Sequence, residues 1–355
     1  MWGFNVTEQS FPYDNRPVSP LTNYTFDEWW FHGHLDFPPH ASDVLQLPVN
    51  QSITTEIACD KGATSFFASN PGGDIQDGDN VCPGSPIAEF HTTGFDDLKG
   101  CALAIAYKSN VSEVTPEDFT VFSVNQTCVW TRFTDFQIPE RMPACPDGLC
   151  TCAWFWIHSP DSGGEQNYMT GFQCNITGAT SDVPLAKPQV PRRCRADPDN
   201  GKQLASLSNC TYGAKQPFYW LQAENNTMFE GSHAPPFYND LYNFIDGAQN
   251  DIFEDSYISI PAPSPVAALP FLNQTVAAGV NLPFAGNVTT TRSESNTTEL
   301  NDACLTVGSS NTKRSITGTH EGWKRSRIAA HLHQRREREN ASGGLAWALF
   351  GWKKM

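Results

Sequence analysis

Three side chains near the middle of the chain have the types and the spacing of a metal-binding cluster. His158 precedes Gln166 and Tyr168 by eight and ten residues, and His91 lies in a loop-like segment before an apolar run. If residues 166–168 are extended, Gln166 and Tyr168 point the same way, because side chains two residues apart share one face of a strand. An imidazole beside an amide and a phenol can surround a metal ion. A buried Tyr bonded to a core Gln would show the same pattern, so both interpretations stay open.

Three further histidines, His32, His34 and His40, follow a pair of tryptophans at Trp29 and Trp30. On a strand, His32 and His34 would share a face and could chelate a metal ion. We favour the alternative that they pack and hydrogen-bond beneath the tryptophans.

The sequence contains few signs of other chemistry. It has no Gly-x-Ser-x-Gly nucleophile elbow, no P-loop and no dinucleotide-binding glycine pattern. A glycosidase needs two carboxylates across a cleft, and the spacing of the acids singles out no pair. The acids considered are Asp96, Asp97, Asp161, Glu165 and Glu254. The net charge of −15 argues against nucleic-acid binding, because phosphates are bound by Lys and Arg.

The cysteines indicate an oxidising compartment. Ten of the 11 lie between Cys59 and Cys210 without the paired spacing of a zinc knuckle, so they predict a disulfide framework. Local pairs close short loops at low entropic cost, which favours pairing in chain order. The predicted pairs are Cys59 with Cys82, Cys101 with Cys128, Cys145 with Cys150, Cys152 with Cys174 and Cys194 with Cys210, leaving Cys304 over. Spacing alone leaves other connectivities open.

Twelve Asn-x-Ser/Thr sequons support passage through a secretory pathway. They begin at Asn5, Asn23, Asn50, Asn110, Asn125, Asn175, Asn209, Asn225, Asn273, Asn287, Asn296 and Asn340. No run approaches the ~18 apolar residues of a membrane span. The chain opens without the pattern of a signal peptide, so we expect the natural start to lie upstream of Met1.

Composition divides the chain into three parts. Residues 1–260 contain short apolar runs bounded by turn residues, at 53–58, 102–107, 119–124, 128–133 and 153–157, which predict strands. This part is predicted to be a mostly β, immunoglobulin-like sandwich with long loops. Residues 261–310 are predicted to be a glycosylated linker rich in Pro, Ser, Thr and Asn. Residues 311–355 hold 10 of the 23 Lys and Arg and are predicted to be a disordered basic tail.

Residues 3–256 resemble the secreted fungal lytic polysaccharide monooxygenases of auxiliary-activity family fourteen, the xylan-directed group. The matching segments are GFNVT at 3–7, FPYDNRP at 11–17, WWFHG at 29–33, CDKGAT at 59–64, HTTG at 91–94, WTRFTDF at 130–136 and HSPDSGGEQNYMTGFQC at 158–174. Segments of this length are far more specific than a short motif.

The resemblance implies one copper ion held in a histidine brace. In such a brace the mature N-terminal His supplies its amine and imidazole, a second His supplies a third nitrogen, and a Tyr lies near the axial position. The second His matches His91 and the Tyr matches Tyr168, while Gln166 and, less strongly, His158 match residues that surround the metal. Copper suits nitrogen and oxygen ligands of this kind.

The resemblance further implies oxidative cleavage of glycosidic bonds in xylan associated with cellulose. The reaction would use an external electron donor and dioxygen or hydrogen peroxide, in a secreted monomer. No His stands at residue 1, and Met1 matches a position inside the mature family proteins. As it stands, the chain is therefore expected to bind copper weakly and to be inactive. The alternative is a non-catalytic secreted β-sandwich that binds carbohydrate or copper.

Overall fold

The computed structural model describes residues 1–2, 20–59, 61–65, 76–86, 90–162 and 166–257, together with the backbone of residues 349–351. Cys304, Glu165, five sequons (Asn5, Asn273, Asn287, Asn296, Asn340), the linker and the rest of the basic tail lie outside these residues. No helix in the described ranges is both long and apolar enough to cross a membrane.

The described residues form a mostly β fold, as the sequence predicts. The strands are β1 (Val44–Pro48), β2 (Ser52–Ala58), β3 (Cys101–Ala106), β4 (Thr120–Asn125), β5 (Phe133–Gln137), β6 (Cys150–Ile157), β7 (Asn167–Thr177), β8 (Gly247–Ala248) and β9 (Leu349–Gly351). One short α-helix, α1, spans Phe26–Trp29. Single 3-10 turns lie at Trp30–Gly33, Lys61–Ala63, Phe95–Asp97, Val111–Glu113, Pro116–Asp118, Pro146–Gly148, Pro160–Ser162, Pro198–Asn200, Leu207–Asn209 and Asp240–Tyr242.

The strands make two sheets. The large sheet has the order β1-β7-β6-β3-β4-β8, in which only β1 and β7 pair in parallel among the described strands. The small sheet has the order β5-β2-β9 and is antiparallel. Ile53 and Phe136 of the small sheet share one core with Leu103 and Trp154 of the large sheet. The two sheets therefore pack face to face, which confirms the predicted sandwich.

The large sheet is buried on its second face as well. There Ala102 and Ala104 of β3 lie in a second core with loop aromatics such as Trp30, Phe119 and Tyr219. Small side chains on the strand leave room for these large rings. All six residues of β3 and all eight of β6 are buried, which is why both strands read as nearly continuous apolar runs.

One predicted strand, at 128–133, is wrong. The chain turns after Cys128, where the Trp130 amide donates to the Thr127 carbonyl at 3.0 Å, and β5 begins only at Phe133. Cys128 and Val129 are nevertheless buried in the first core. A short apolar run indicates that its side chains are buried, but it does not distinguish a strand from a loop. Here the buried side chains belong to a loop.

Five disulfides tie the sandwich and its loops together, and all five predicted pairs are present. They join Cys59 to Cys82, Cys101 to Cys128, Cys145 to Cys150, Cys152 to Cys174 and Cys194 to Cys210. Each links residues at most 27 positions apart, so each closes a short loop. A bridge of this kind stabilises a fold by about 2–4 kcal/mol.

The segment after α1 makes a left-handed turn instead of the strand on which His32 and His34 would share a face. Phe31, His32 and Gly33 have φ angles of 50°, 56° and 64°. This region costs a residue with a side chain about 1–2 kcal/mol. The buried Phe31 ring offsets the cost by packing against Gly171 of β7, where an added Cβ would overlap the ring.

Candidate metal centre

His91 lies in a tightly held loop and has an unusual backbone conformation. Its φ is 50°, in the left-handed region that few residues with a side chain adopt. The residue is 6% exposed. Just beyond it, the Thr92 hydroxyl donates to the Gly94 carbonyl at 2.6 Å, and the Thr93 amide donates to the Asp97 carboxylate at 2.9 Å. Strain of this kind persists only where the surroundings enforce it, and it concentrates at functional sites.

His158 provides one of these constraints. It follows β6, and its ring stacks on that of His91 with the centroids 4.5 Å and the planes 18° apart. Its Nδ1 lies 2.7 Å from the Ser159 carbonyl oxygen. Because a carbonyl only accepts hydrogen bonds, Nδ1 carries the proton in the neutral ring, and Nε2 carries the lone pair.

Ser162 provides a second constraint on His91. It ends the 3-10 turn Pro160–Ser162, and its hydroxyl lies in short hydrogen-bond contact with the His91 carbonyl. The same hydroxyl lies 2.9 Å from the Ser159 carbonyl. The turn after β6 is therefore fastened to the backbone of the His91 loop, directly beside the stacked imidazoles.

Trp156 packs between strands against Tyr168 and also lies near the two imidazoles. Trp156 of β6 and Tyr168 of β7 are cross-strand partners, and their rings stack with centroids 5.0 Å apart. Trp156 also lies 6.0 Å from the ring of His91 and 5.9 Å from that of His158. The Tyr168 hydroxyl donates to the Gln166 side-chain oxygen at 2.8 Å.

The structure thus brings His91, His158, Gln166 and Tyr168 together around Trp156. The predicted contact between Gln166 and Tyr168 is present, although only Tyr168 lies within a strand. Trp156 and Ser162 were not among the predicted residues. Pairing Trp156 with Tyr168 follows from the antiparallel register of β6 and β7, which the sequence does not give directly.

The other histidines lie elsewhere. His32 forms a hydrogen bond with the backbone of Met169. Met169 belongs to the second core, whereas Tyr168 of the candidate site belongs to the first, so His32 lies apart from the site. Burial, together with the nearby charge of His34, lowers the pKa of His32 to about 4 against the opposing effect of that hydrogen bond. His40 is exposed. The favoured interpretation of His32, as a packed and hydrogen-bonded residue, agrees with this arrangement.

The donor atoms of the cluster are compatible with copper. An imidazole and a phenol are nitrogen and oxygen ligands of the kind that Cu(II) accepts. Within the described ranges, no three His, Cys, Asp or Glu side chains are grouped so as to hold a metal ion. His91 and Tyr168 thus carry donor atoms of the types that copper accepts.

The comparisons with known proteins place this disulfide-stabilised β-sandwich in the lytic polysaccharide monooxygenase class. Residues 1–343 match the family model for lytic polysaccharide monooxygenase AA14. The chain is 71% identical over 266 residues to AA14 family lytic polysaccharide monooxygenase B of Pycnoporus cinnabarinus, covering 75% of this chain and 71% of the relative. The chain belongs to the AA14 family.

Two relatives from Trametes coccinea (strain BRFM310) agree with this assignment. Monooxygenase B of the AA14 family is 70% identical over 266 residues, covering 75% of this chain and 64% of the relative. Monooxygenase A is 58% identical over 271 residues, covering 76% of this chain and 63% of the relative. The chain spans less than two thirds of the length of these two proteins.

Proposed function

We propose that this protein is a secreted, copper-dependent monooxygenase that cleaves glycosidic bonds oxidatively in plant cell-wall polysaccharide, with xylan associated with cellulose as its substrate. The observation that carries the proposal is the cluster of His91, His158, Gln166 and Tyr168 in a chain of the AA14 family. The xylan assignment rests on the resemblance of residues 3–256. The five disulfides and the sequons support secretion.

His91 and Tyr168 would hold the copper, through an imidazole nitrogen and the phenol oxygen. When bound, copper supplies the one-electron redox chemistry by which dioxygen or hydrogen peroxide is activated with electrons from an external donor. The protein would position the copper ligands. The His158 ring orients the ring of His91, and the Ser162 hydroxyl holds the His91 backbone. The buried Trp156 excludes water from its side of the cluster.

Two further polar groups of the cluster contact Tyr168 and His91. Gln166 accepts the Tyr168 hydroxyl proton through its oxygen, which leaves the amide NH2 as a donor. His158 donates its Nδ1 proton to the Ser159 carbonyl, which fixes its ring beside that of His91. We assign these two residues to the surroundings of the reacting oxygen, and we propose that the protein acts as a monomer.

The proposal is tested with the secreted protein and its His91→Ala variant. Copper binding is measured by titration calorimetry and by the Cu(II) EPR spectrum, and products from xylan-coated cellulose with a reductant are identified by mass spectrometry. We expect oxidised oligosaccharides from a protein that carries the N-terminal His of the brace and none from a chain that lacks it. In the former, His91→Ala should lower the copper affinity by about 100-fold or more. The control is His233→Ala, which changes an exposed His outside the cluster.

Two results would contradict the proposal. One is release of unoxidised sugars in the absence of copper and reductant, which would make the protein a hydrolase. The other is a His91→Ala variant that binds copper and forms oxidised products as the wild type does.

A further inference from the structure

The exposed Phe95, whose ring packs against that of Trp130, lies close along the chain to His91. Phe95 is 52% exposed, a large fraction for an apolar side chain of this size. Its ring meets the ring of the half-buried Trp130 edge to face, with centroids 5.6 Å and planes 90° apart. Aromatic side chains are enriched at binding surfaces relative to the rest of a protein's surface.

Both rings are held by their own loops. Phe95 begins a 3-10 turn in which the Asp97 amide donates to the Gly94 carbonyl at 3.1 Å, and the Asp97 carboxylate accepts the Thr93 amide. Trp130 sits in a turn closed by its amide and the Thr127 carbonyl, next to the Cys101–Cys128 disulfide. A ligand would therefore meet rings that are already placed, with little ordering entropy to lose.

Phe95 is also connected to the metal centre. It follows His91 by four residues, so the two Cα atoms lie within about 14 Å of each other along the chain. The same Asp97 hydrogen bond that shapes the Phe95 turn holds Thr93, two residues from His91. A polymer resting on Phe95 would be in reach of the loop that carries the imidazole.

The chemistry of the patch suits a neutral sugar chain. One face of a pyranose ring is made of C–H groups and packs on an aromatic ring, while its hydroxyls bond to polar groups around the ring. Thr93 and Asp96 are exposed beside Phe95 and can supply such groups. The exposed Asp96 disfavours an anionic ligand.

We propose that Phe95, supported by Trp130, is a stacking subsite for a neutral polysaccharide chain. The inference rests on the proposed function in that the ligand is the polymer on which the enzyme would act. Phe95 would position that polymer beside the metal centre and would take no part in copper binding.

The test measures binding of the copper-free full chain to xylan-coated cellulose in depletion isotherms. We expect Phe95→Ala to raise the dissociation constant about two- to tenfold. Phe95→Tyr, which keeps an aromatic face, should restore binding. The matched control is Phe229→Ala, which removes an 84% exposed Phe from another loop. Circular dichroism and copper titration of Phe95→Ala should match the wild type.

The outcomes separate this inference from the proposed function. If Phe95→Ala weakens binding but the copper-loaded wild type forms no oxidised products, the stacking subsite is supported and the proposed reaction is contradicted. If oxidised products form but Phe95→Ala binds as tightly as the wild type, or Phe229→Ala weakens binding as much, the subsite is overturned. It is also overturned if the wild type does not bind this polysaccharide.

Discussion

The imidazole of His158 lies face to face with that of His91, with ring centroids 4.5 Å apart and 18° between the planes. His158 is itself fixed by the contact of its Nδ1 with the Ser159 carbonyl. His91 is the residue that matches a copper ligand. Its orientation therefore depends on His158, which comes directly after β6 and is distant from His91 in the sequence.

Replacing His158 with Ala should weaken copper binding by about 10- to 100-fold, because the His91 ring would lose the surface that orients it. His158→Phe keeps a flat ring in the same place and should recover most of the affinity. Titration calorimetry with both variants measures the effect. Equal affinities in His158→Ala and the wild type would show that the stacking does not position His91.

Ser162→Ala removes the hydroxyl that contacts the His91 carbonyl. We expect a loss of about 1 kcal/mol in the free energy of unfolding and a changed Cu(II) EPR spectrum, because His91 would be less firmly held in its left-handed conformation. Ser162→Thr retains the hydroxyl and should restore the wild-type spectrum. A Ser162→Ala spectrum identical to that of the wild type would contradict the positioning role.

Gly171→Ala should destabilise the protein by about 1–3 kcal/mol, because the new methyl group would overlap the ring of Phe31. Chemical denaturation measures the change. Adding Phe31→Leu should recover part of the loss by making room. Gly231→Ala, at a glycine with open space around it, is the control and should have little effect. Equal costs at the two glycines would refute the packing argument.

The half-buried His32 predicts a pH dependence of stability. Burial, with the charge of His34, lowers its pKa from 6.5 to about 4 in the folded protein, so the unfolded chain binds the proton more tightly between these values. The free energy of unfolding should therefore be level above pH 6.5 and fall towards pH 4, by on the order of 1–3 kcal/mol from this residue.

The measurement is the unfolding free energy of wild type and His32→Asn as a function of pH. Asn cannot titrate and tolerates the left-handed backbone, so the variant should show a flatter profile between pH 4 and 6.5. His40→Asn, at an exposed His, should leave the profile unchanged. Parallel profiles for wild type and His32→Asn would exclude the predicted linkage.

Several parts of the fold could be predicted because they depend on local pattern. Four of the five predicted runs overlap β2, β3, β4 and β6, and the five disulfides join neighbours in chain order. The fifth run, at 128–133, failed because a buried loop and a buried strand have the same apolar character. The left-handed turn at Phe31 could not be predicted, because tertiary packing against Gly171 enforces it against local preference.

For the candidate site, the sequence by itself determined the chemical groups. Residue types and long matching segments were enough to single out His91, His158, Gln166 and Tyr168. Both kinds of information are contained in the amino-acid sequence itself. Only the tertiary structure decided how these groups meet: the Trp156 ring lies near the ring of His91 and stacks on that of Tyr168, and the Ser162 hydroxyl contacts the His91 carbonyl. Those contacts join residues up to 71 positions apart, and they exist only after the sheet register and the loops are in place.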